Sequence, residues 1–181
     1  MGKNADRQKL LENEARTTST WPYRGKVFSV RHDAMETSEG AYTRDVCVTK
    51  GAVAVIPILD GKIVLVEQWR RSVGKITLEL PAGMLDVAGE KPIDCAHREL
   101  REETGFAAKS MTPFGSCFTS PGILLEEIFF FVATDLVYHP LQGDDSHLID
   151  VQKIPIRTAI QMVEAGEITD AKTVIGILRY R

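Results

Sequence analysis

The order of apolar and polar positions predicts a core made mostly of strands. Ala52 to Leu59 (AVAVIPIL) and Lys62 to Trp69 (KIVLVEQW) are rich in β-branched residues and flank Asp60-Gly61, a dipeptide suited to the positive φ angles of a tight hairpin. Pro57 has no N–H to give to a ladder and predicts a bulge or an edge. Further strands are expected at Ile76 to Leu80 and at Ile128 to Ala133, whose run IFFFVA is apolar enough to be buried on both faces. Nearer the start, Lys26 to Arg31 and Ala41 to Val48 flank the turn-rich stretch Glu36 to Gly40 and predict a small antiparallel pair.

Two helices are expected, from Pro92 to Thr104 and from Ile156 to Ala165. Pro92 suits a first helical turn, where its missing N–H would have no partner in any case, and Gly105 and Gly166 suit the left-handed position that ends a helix. A third helix is expected after Asp170, which can cap it. Residues 1–20 are polar and charged without apolar periodicity and read as a mobile arm or a frayed helix. Strands and helices do not alternate regularly and no internal repeat is seen, so the fold class is α+β: a mixed β-sheet sandwiched between helices, with a small N-terminal antiparallel sheet. The domain division expected is residues 1–48 for the arm and small sheet and 49–181 for the main domain.

Composition narrows the function classes. At 181 residues the chain fits one ordinary domain with a small appendage, and 22 basic against 25 acidic residues leave a net charge of −3. No global field points to nucleic acid or to an anionic membrane. Cys47, Cys95 and Cys117 are odd in number and far apart, which argues against a disulfide framework or a zinc site and favours a reducing compartment. Without a secretory leader or an apolar run near the roughly 20 residues of a membrane span, the expectation is a soluble cytoplasmic protein.

The informative stretch ends the first helix: Arg98-Glu99-Leu100-Arg101-Glu102-Glu103-Thr104-Gly105-Phe106. Residues three and four apart share a helix face, so Glu99, Glu102 and Glu103 converge on one patch. Like charges so spaced cost about 0.2–0.5 kcal/mol per pair, and in the last turn they also face the negative end of the helix dipole. Arg98 and Arg101 offset part of that charge, and a solvated face with intrahelical salt bridges such as Arg98 to Glu102 would be the ordinary explanation. A hard divalent cation that takes several oxygen ligands accounts for the convergence better, and magnesium is the natural candidate.

The wider pattern, Gly83, then Glu90, then R-E-L-R-E-E-T-G-F, resembles the Nudix box: glycine, five residues, glutamate, seven residues, then R-E-U-x-E-E-x-G-U, with U a bulky apolar residue. The final nine residues and the spacing of seven between Glu90 and Arg98 match, whereas six residues, one more than the pattern, separate Gly83 from Glu90. The resemblance implies a Nudix fold in which Glu99 and Glu103 ligate the metal, Glu102 is a further ligand, the carbonyl of Ala82 completes the site and Arg98 orients the carboxylates. It implies Mg2+, with Mn2+ as the alternative, neutralising a diphosphate and activating the water that attacks it.

The resemblance covers nearly all of residues 23–180 and is nearest to the ADP-ribose pyrophosphatases. Ser120-Pro121-Gly122 places Pro121 fifteen residues after Phe106, where a proline looks like the marker of that subfamily, and Glu126 follows. Leu78-Glu79-Leu80-Pro81-Ala82-Gly83 and Glu67-Gln68-Trp69-Arg70 are similar to its strand ends, which implies Arg70, Glu79 and Gly83 near the substrate, with Arg70 suited to fork onto phosphate oxygens. Arg44 matches an arginine that in relatives reaches the ligand from a partner subunit through an exchanged N-terminal sheet, which implies a homodimer. Trp21 and Tyr23 are the nearest aromatic rings for a base to stack on. The general base is expected in the acidic loop Gly143-Asp144-Asp145-Ser146-His147, with Asp145 first, Asp144 in reserve and His147 a bystander. Nucleotide sugars such as GDP-mannose stay open as substrates. Two alternatives remain: a Nudix pyrophosphohydrolase of nucleoside triphosphates or dinucleoside polyphosphates, and an inert ADP-ribose-binding module.

Overall fold

The protein is described from a computed structural model that covers residues 2–143 and 146–181. Two compact units make up the chain: the stretch up to Lys50 together with Ser120–Glu126, and Gly51–Thr119 together with Glu127–Arg181.

The first unit contains helix α1 (Lys3–Asn13) and strands β1 (Arg16–Arg24), β2 (Ser29–Thr37), β3 (Gly40–Val48) and β9 (Leu124–Leu125), in the sheet order β1-β2-β3-β9. The expected antiparallel pair is present as β2 and β3, joined by a tighter turn than the sequence implies, since the strands run on to Thr37 and Gly40. Of the two readings of residues 1–20, a mobile arm or a frayed helix, the described residues bear out the helix and add a strand. They form α1, which buries no residue, and most of β1, every position of which is exposed. No alternation marks the polar run Arg16-Thr17-Thr18-Ser19-Thr20, which pairs with Glu36 to His32 through backbone hydrogen bonds that need no apolar side chain.

The second unit is built on strands β4 (Ala52–Leu59), β5 (Lys62–Arg70), β6 (Lys75–Glu79), β7 (Ala82–Met84), β8 (Phe106–Phe118), β10 (Glu127–Tyr138) and β11 (Asp150–Pro155). Their order is β11-β5-β4-β10-β8, with β6 paired to β5 and β7 to β4. Asp60 and Gly61 take φ of 48° and 72° and close the β4–β5 hairpin as expected. Pro57 sits neither at an edge nor in a bulge. It lies where β4 exchanges its antiparallel partner β7, last paired at Ala54, for β5, first paired at Ile58, so that no antiparallel neighbour calls for its missing N–H. The long strand β8 had no clear signal because Pro113 and Gly115 interrupt it; there the ladder with β10 shifts register between Phe129 and Phe131, and Gly115 adopts φ of 91°.

Three helices complete this unit: α2 (Pro92–Thr104), α3 (Ile156–Glu164) and α4 (Ala171–Tyr180). Gly105 and Gly166 take the left-handed conformation at φ 76° and 74°, and the Asp170 carboxylate accepts from the Thr173 N–H at the start of α4. Alternate residues of β4 serve two cores. Val53 and Val55 pack with Cys95, Ala96 and Leu100 of α2, Phe131 and Ala133, while Ala54 and Ile56 pack with Phe130, Ala159 of α3 and Ile177 of α4. The mixed sheet is therefore sandwiched between α2 on one face and α3 and α4 on the other, in an α+β fold.

Candidate active site

Helix α2 carries the acidic cluster, and the loop entering β7 faces it. The Arg98 guanidinium is the hub. Its Nε and Nη2 donate to the two oxygens of Glu90, each at 2.9 Å, while Nη1 donates to Glu99 at 2.6 Å and to Glu102 at 3.2 Å. Glu90 thus takes its place beside Arg98 despite the extra residue between it and Gly83. The pairing with Glu90, followed by the charge of Glu99, raises the Arg98 pKa above its ordinary value. Arg98 Nη2 also lies 3.4 Å from the sulfur of Cys95, whose thiol burial pushes up to about 12, leaving it inert at neutral pH.

Gly83 is required by close approach. A Cβ there would lie 1.9 Å from the Glu99 carboxyl carbon, so the Glu99 carboxylate rests directly on the β7 backbone. One residue earlier, the Ala82 N–H donates to Glu103 at 3.0 Å. Burial pushes the Glu103 carboxyl up to about 7, and the charge of Glu99 adds to this, while the Ala82 N–H, Arg70 and Lys172 draw it back. Burial likewise raises Glu99, against the pull of Arg98. These carboxylates have too little positive charge around them for their burial.

A second carboxylate stands behind the same loop. Glu79, 2% exposed, receives Arg70 Nε at 2.7 Å, Arg70 Nη2 at 2.6 Å and the Thr77 hydroxyl at 2.6 Å, and is paired with Lys172. Burial alone would raise its pKa, but Arg70, Lys172 and Thr77 outweigh it and hold the group down at about 2. The Arg70 fork expected for phosphate oxygens is therefore taken up by Glu79. Lys172 and Thr173 escaped the sequence reading, because each stands 93 positions along the chain from its partner, Glu79 or Leu80, and such a separation leaves no local signal of contact.

The structure thus brings together Arg98, Glu99, Glu102, Glu103, Ala82, Gly83 and Glu90, with Arg70 and Glu79 behind them. The other expected site residues belong to the first unit or lie outside the description. Arg44 is half-exposed on β3 and donates to Glu12 of α1 at 2.9 Å. Tyr23 is 51% exposed with its ring 5.3 Å from that of Phe28, and the Trp21 ring carries the Arg24 guanidinium 4.5 Å from its centroid. Glu126 closes the segment Ser120–Glu126, whose turn is held by the Ile123 and Leu124 N–H groups donating to the Ser120 carbonyl. Asp144 and Asp145 lie outside the described residues, and His147 is exposed in a short 3-10 turn, Ser146–Leu148.

Among the described residues no three His, Cys, Asp or Glu side chains are already gathered as a metal-binding set. The donors nonetheless suit a hard divalent cation. All are carboxylate or carbonyl oxygens, two of the carboxylates are under-compensated, and Gly83 leaves room for the Glu99 carboxylate against the backbone.

Comparison with known proteins agrees with this arrangement. The model of the NUDIX domain matches residues 48–174. The chain is 36% identical over 159 residues to an ADP-ribose pyrophosphatase of Bacillus subtilis (strain 168), covering 86% of this chain and 85% of that protein. It is 36% identical over 174 residues to an ADP-ribose pyrophosphatase of Mycobacterium tuberculosis (strain ATCC 25618 / H37Rv), covering 93% and 84%. A solved structure described as an ADP compounds hydrolase superposes with a TM-score of 0.80 at 24% identity, over 92% of each chain, and supports the fold. With its box spanning α2 and the loop before it, the chain belongs to the NUDIX domain family.

Proposed function

We propose that this protein is a divalent-metal-dependent hydrolase, with Mg2+ as its working ion and Mn2+ as a substitute, that cleaves the diphosphate of ADP-ribose or a related nucleoside diphosphate sugar. The observation that carries the reading is the pair of under-compensated carboxylates, Glu99 and Glu103, lying against the backbone of Ala82 and Gly83. ADP-ribose is favoured by the relatives in Bacillus subtilis and Mycobacterium tuberculosis, and by Pro121 at its subfamily position.

In this reading Glu99, Glu102, Glu103 and the Ala82 carbonyl would hold the metal, which would supply charge neutralisation for the diphosphate and a lowered pKa for the attacking water. Arg98, anchored at its far edge by Glu90, keeps Glu99 and Glu102 aimed at one place. Water adds its oxygen to one phosphorus and the bridging bond breaks, giving a nucleoside monophosphate and a sugar phosphate. Asp145 is the general base of choice. Residues 1–48 are assigned as an arm and sheet exchanged between two copies, so that Arg44 and Tyr23 of one copy, with Glu126, reach the nucleotide, and residues 49–181 carry the chemistry. No helix among the described residues is long and apolar enough to cross a membrane, and the free cysteines suit a cytoplasmic setting.

The test is turnover of ADP-ribose, GDP-mannose, ADP-glucose, dGTP and a dinucleoside polyphosphate, with Mg2+ and with chelator, and with the products identified. Mg2+-dependent release of AMP and ribose 5-phosphate with dGTP untouched is expected. Cleavage of dGTP alone would overturn the substrate, and tight binding of ADP-ribose without turnover would make the protein a binding module.

A further inference from the structure

The short crossing from β6 to β7 bears the backbone of the proposed metal site, and its own hydrogen bonds lead to an unexpected element. Leu80 and Pro81 belong to neither strand. The Leu80 N–H donates to the Thr173 hydroxyl at 2.7 Å, the Pro81 carbonyl accepts from the Val55 N–H at 2.9 Å, and the Ala82 N–H goes to Glu103. Pro81 has no N–H to place. On the side of the chain start Ala82 therefore has two supports, one from Val55 of β4 at Pro81 and one from the first turn of α4 at Leu80.

That turn is organised around one oxygen. Asp170 Oδ2 accepts from the Thr173 N–H at 3.0 Å, the Thr173 hydroxyl at 2.6 Å and Lys172 Nζ at 3.0 Å. Because the Thr173 hydroxyl gives its single hydrogen to Asp170, its lone pair is turned toward the Leu80 N–H. Lys172 meanwhile pairs with Glu79, so two adjacent residues, Glu79 by its side chain and Leu80 by its backbone, are tied to the same turn. Thr173 is fully buried, and Lys172 is 11% exposed. The helix comes close because of Gly176, where a Cβ would stand 2.5 Å from the Leu80 side chain.

We propose that Asp170, Lys172 and Thr173 are positioning residues that hold the Ala82-Gly83 backbone against Glu99 and Glu103, and so set the affinity of the site for its divalent cation. None of the three touches substrate; they act through the strand crossing. The inference rests on the metal assignment proposed above. Groups that orient a metal's ligands from behind are worth about 10–100-fold in affinity. A crossing free to shift by a few tenths of an ångström would lose the register of the Ala82 carbonyl with both glutamates.

The test is calorimetric titration of the full chain with Mn2+ alone, for wild type, Thr173→Val, Thr173→Ser and Lys172→Met, with circular dichroism to confirm folding. Thr173→Val keeps the shape and removes the hydroxyl; it is expected to weaken Mn2+ binding by about tenfold or more, and Thr173→Ser to restore it. Lys172→Met leaves the Leu80 bond in place and should give a smaller loss in the same direction. In turnover, the Thr173→Val rate should recover as Mg2+ is raised, with the substrate KM unchanged at saturating metal. Folded Thr173→Val with wild-type Mn2+ affinity would overturn the proposal, as would Thr173→Ser binding as weakly as Thr173→Val. Should Thr173→Val fail to fold, unchanged affinity in Lys172→Met overturns it. Failure of the wild type itself to bind Mn2+ would instead defeat the metal site, and this inference with it.

Discussion

Glu79 and Glu103 stand on either side of the same strand crossing and meet opposite fates. Glu79 is more completely shielded from water, yet Arg70, Lys172 and Thr77 surround it and its pKa falls to about 2. Glu103 has one backbone N–H as a direct partner and a neighbouring glutamate, and burial carries it to about 7. Glu79 already has its counter-charges inside the chain, so it serves as an anchor. Glu103 feels Arg70 and Lys172 without a direct pairing, too weakly to offset its burial, as a ligand reserved for a cation would. The contrast separates a structural carboxylate from a functional one by counting partners, a distinction that residue type and burial alone would miss.

The largest effect expected from testing this contrast is on Glu103. Glu103→Gln should lower kcat by about 10³-fold, while the melting temperature holds or rises, because a neutral amide of the same shape is easier to bury than a carboxylate. An active Glu103→Gln enzyme would remove the distinction. Gly83→Ala comes next. Its methyl would collide with the Glu99 carboxylate, and displacement of that group by about 1 Å should cost about 10²-fold in turnover with the fold retained.

Glu79→Gln should behave the other way round, with stability as the main casualty. Removing one partner from a buried charge cluster costs about 3 kcal/mol, measurable as a lower urea midpoint at pH 7. The sign with pH follows from the depressed pKa. The contribution of Glu79 is fully present above its ordinary pKa of 4.5 and is lost as pH falls toward about 2, so the urea midpoints of wild type and Glu79→Gln should converge across that window. A gap that persists at its low-pH end would refute the assignment. The smallest effect is expected at the exposed Arg44–Glu12 pair in the first unit, where Glu12→Gln should change stability by less than about 0.5 kcal/mol.

Much of the functional half of the molecule was legible in its residues, for a local reason. Helix α2 runs from Pro92 to Thr104, the span its end signals imply, and the spacing of Arg98, Glu99, Glu102 and Glu103 places them on one side of it without help from the rest of the fold. The hairpin at Asp60-Gly61 and the cap at Asp170 are local in the same sense. Strand β8 was not legible, because Pro113 and Gly115 break its pattern and only the shifted register of β10 makes room for them. Strand β1 was missed for a related reason: all of its residues stay exposed, so burial wrote no alternation into it.

What the chain determines by itself is the α2 face, the spacing of seven from Glu90 to Arg98 with the run that follows it, which mark the family, and the type of donor offered to a cation, since backbone periodicity and side-chain chemistry act over a few residues. What only the tertiary structure decided is which of its carboxylates are compensated. Arg70 reaches Glu79 from the neighbouring strand, Lys172 and Thr173 reach Glu79 and Leu80 from the last helix, and Glu103 has its direct hydrogen bond from one backbone N–H. Partners brought together across 93 residues leave no trace in local order, because electrostatic compensation depends on distance in space and the chain between them can follow many paths.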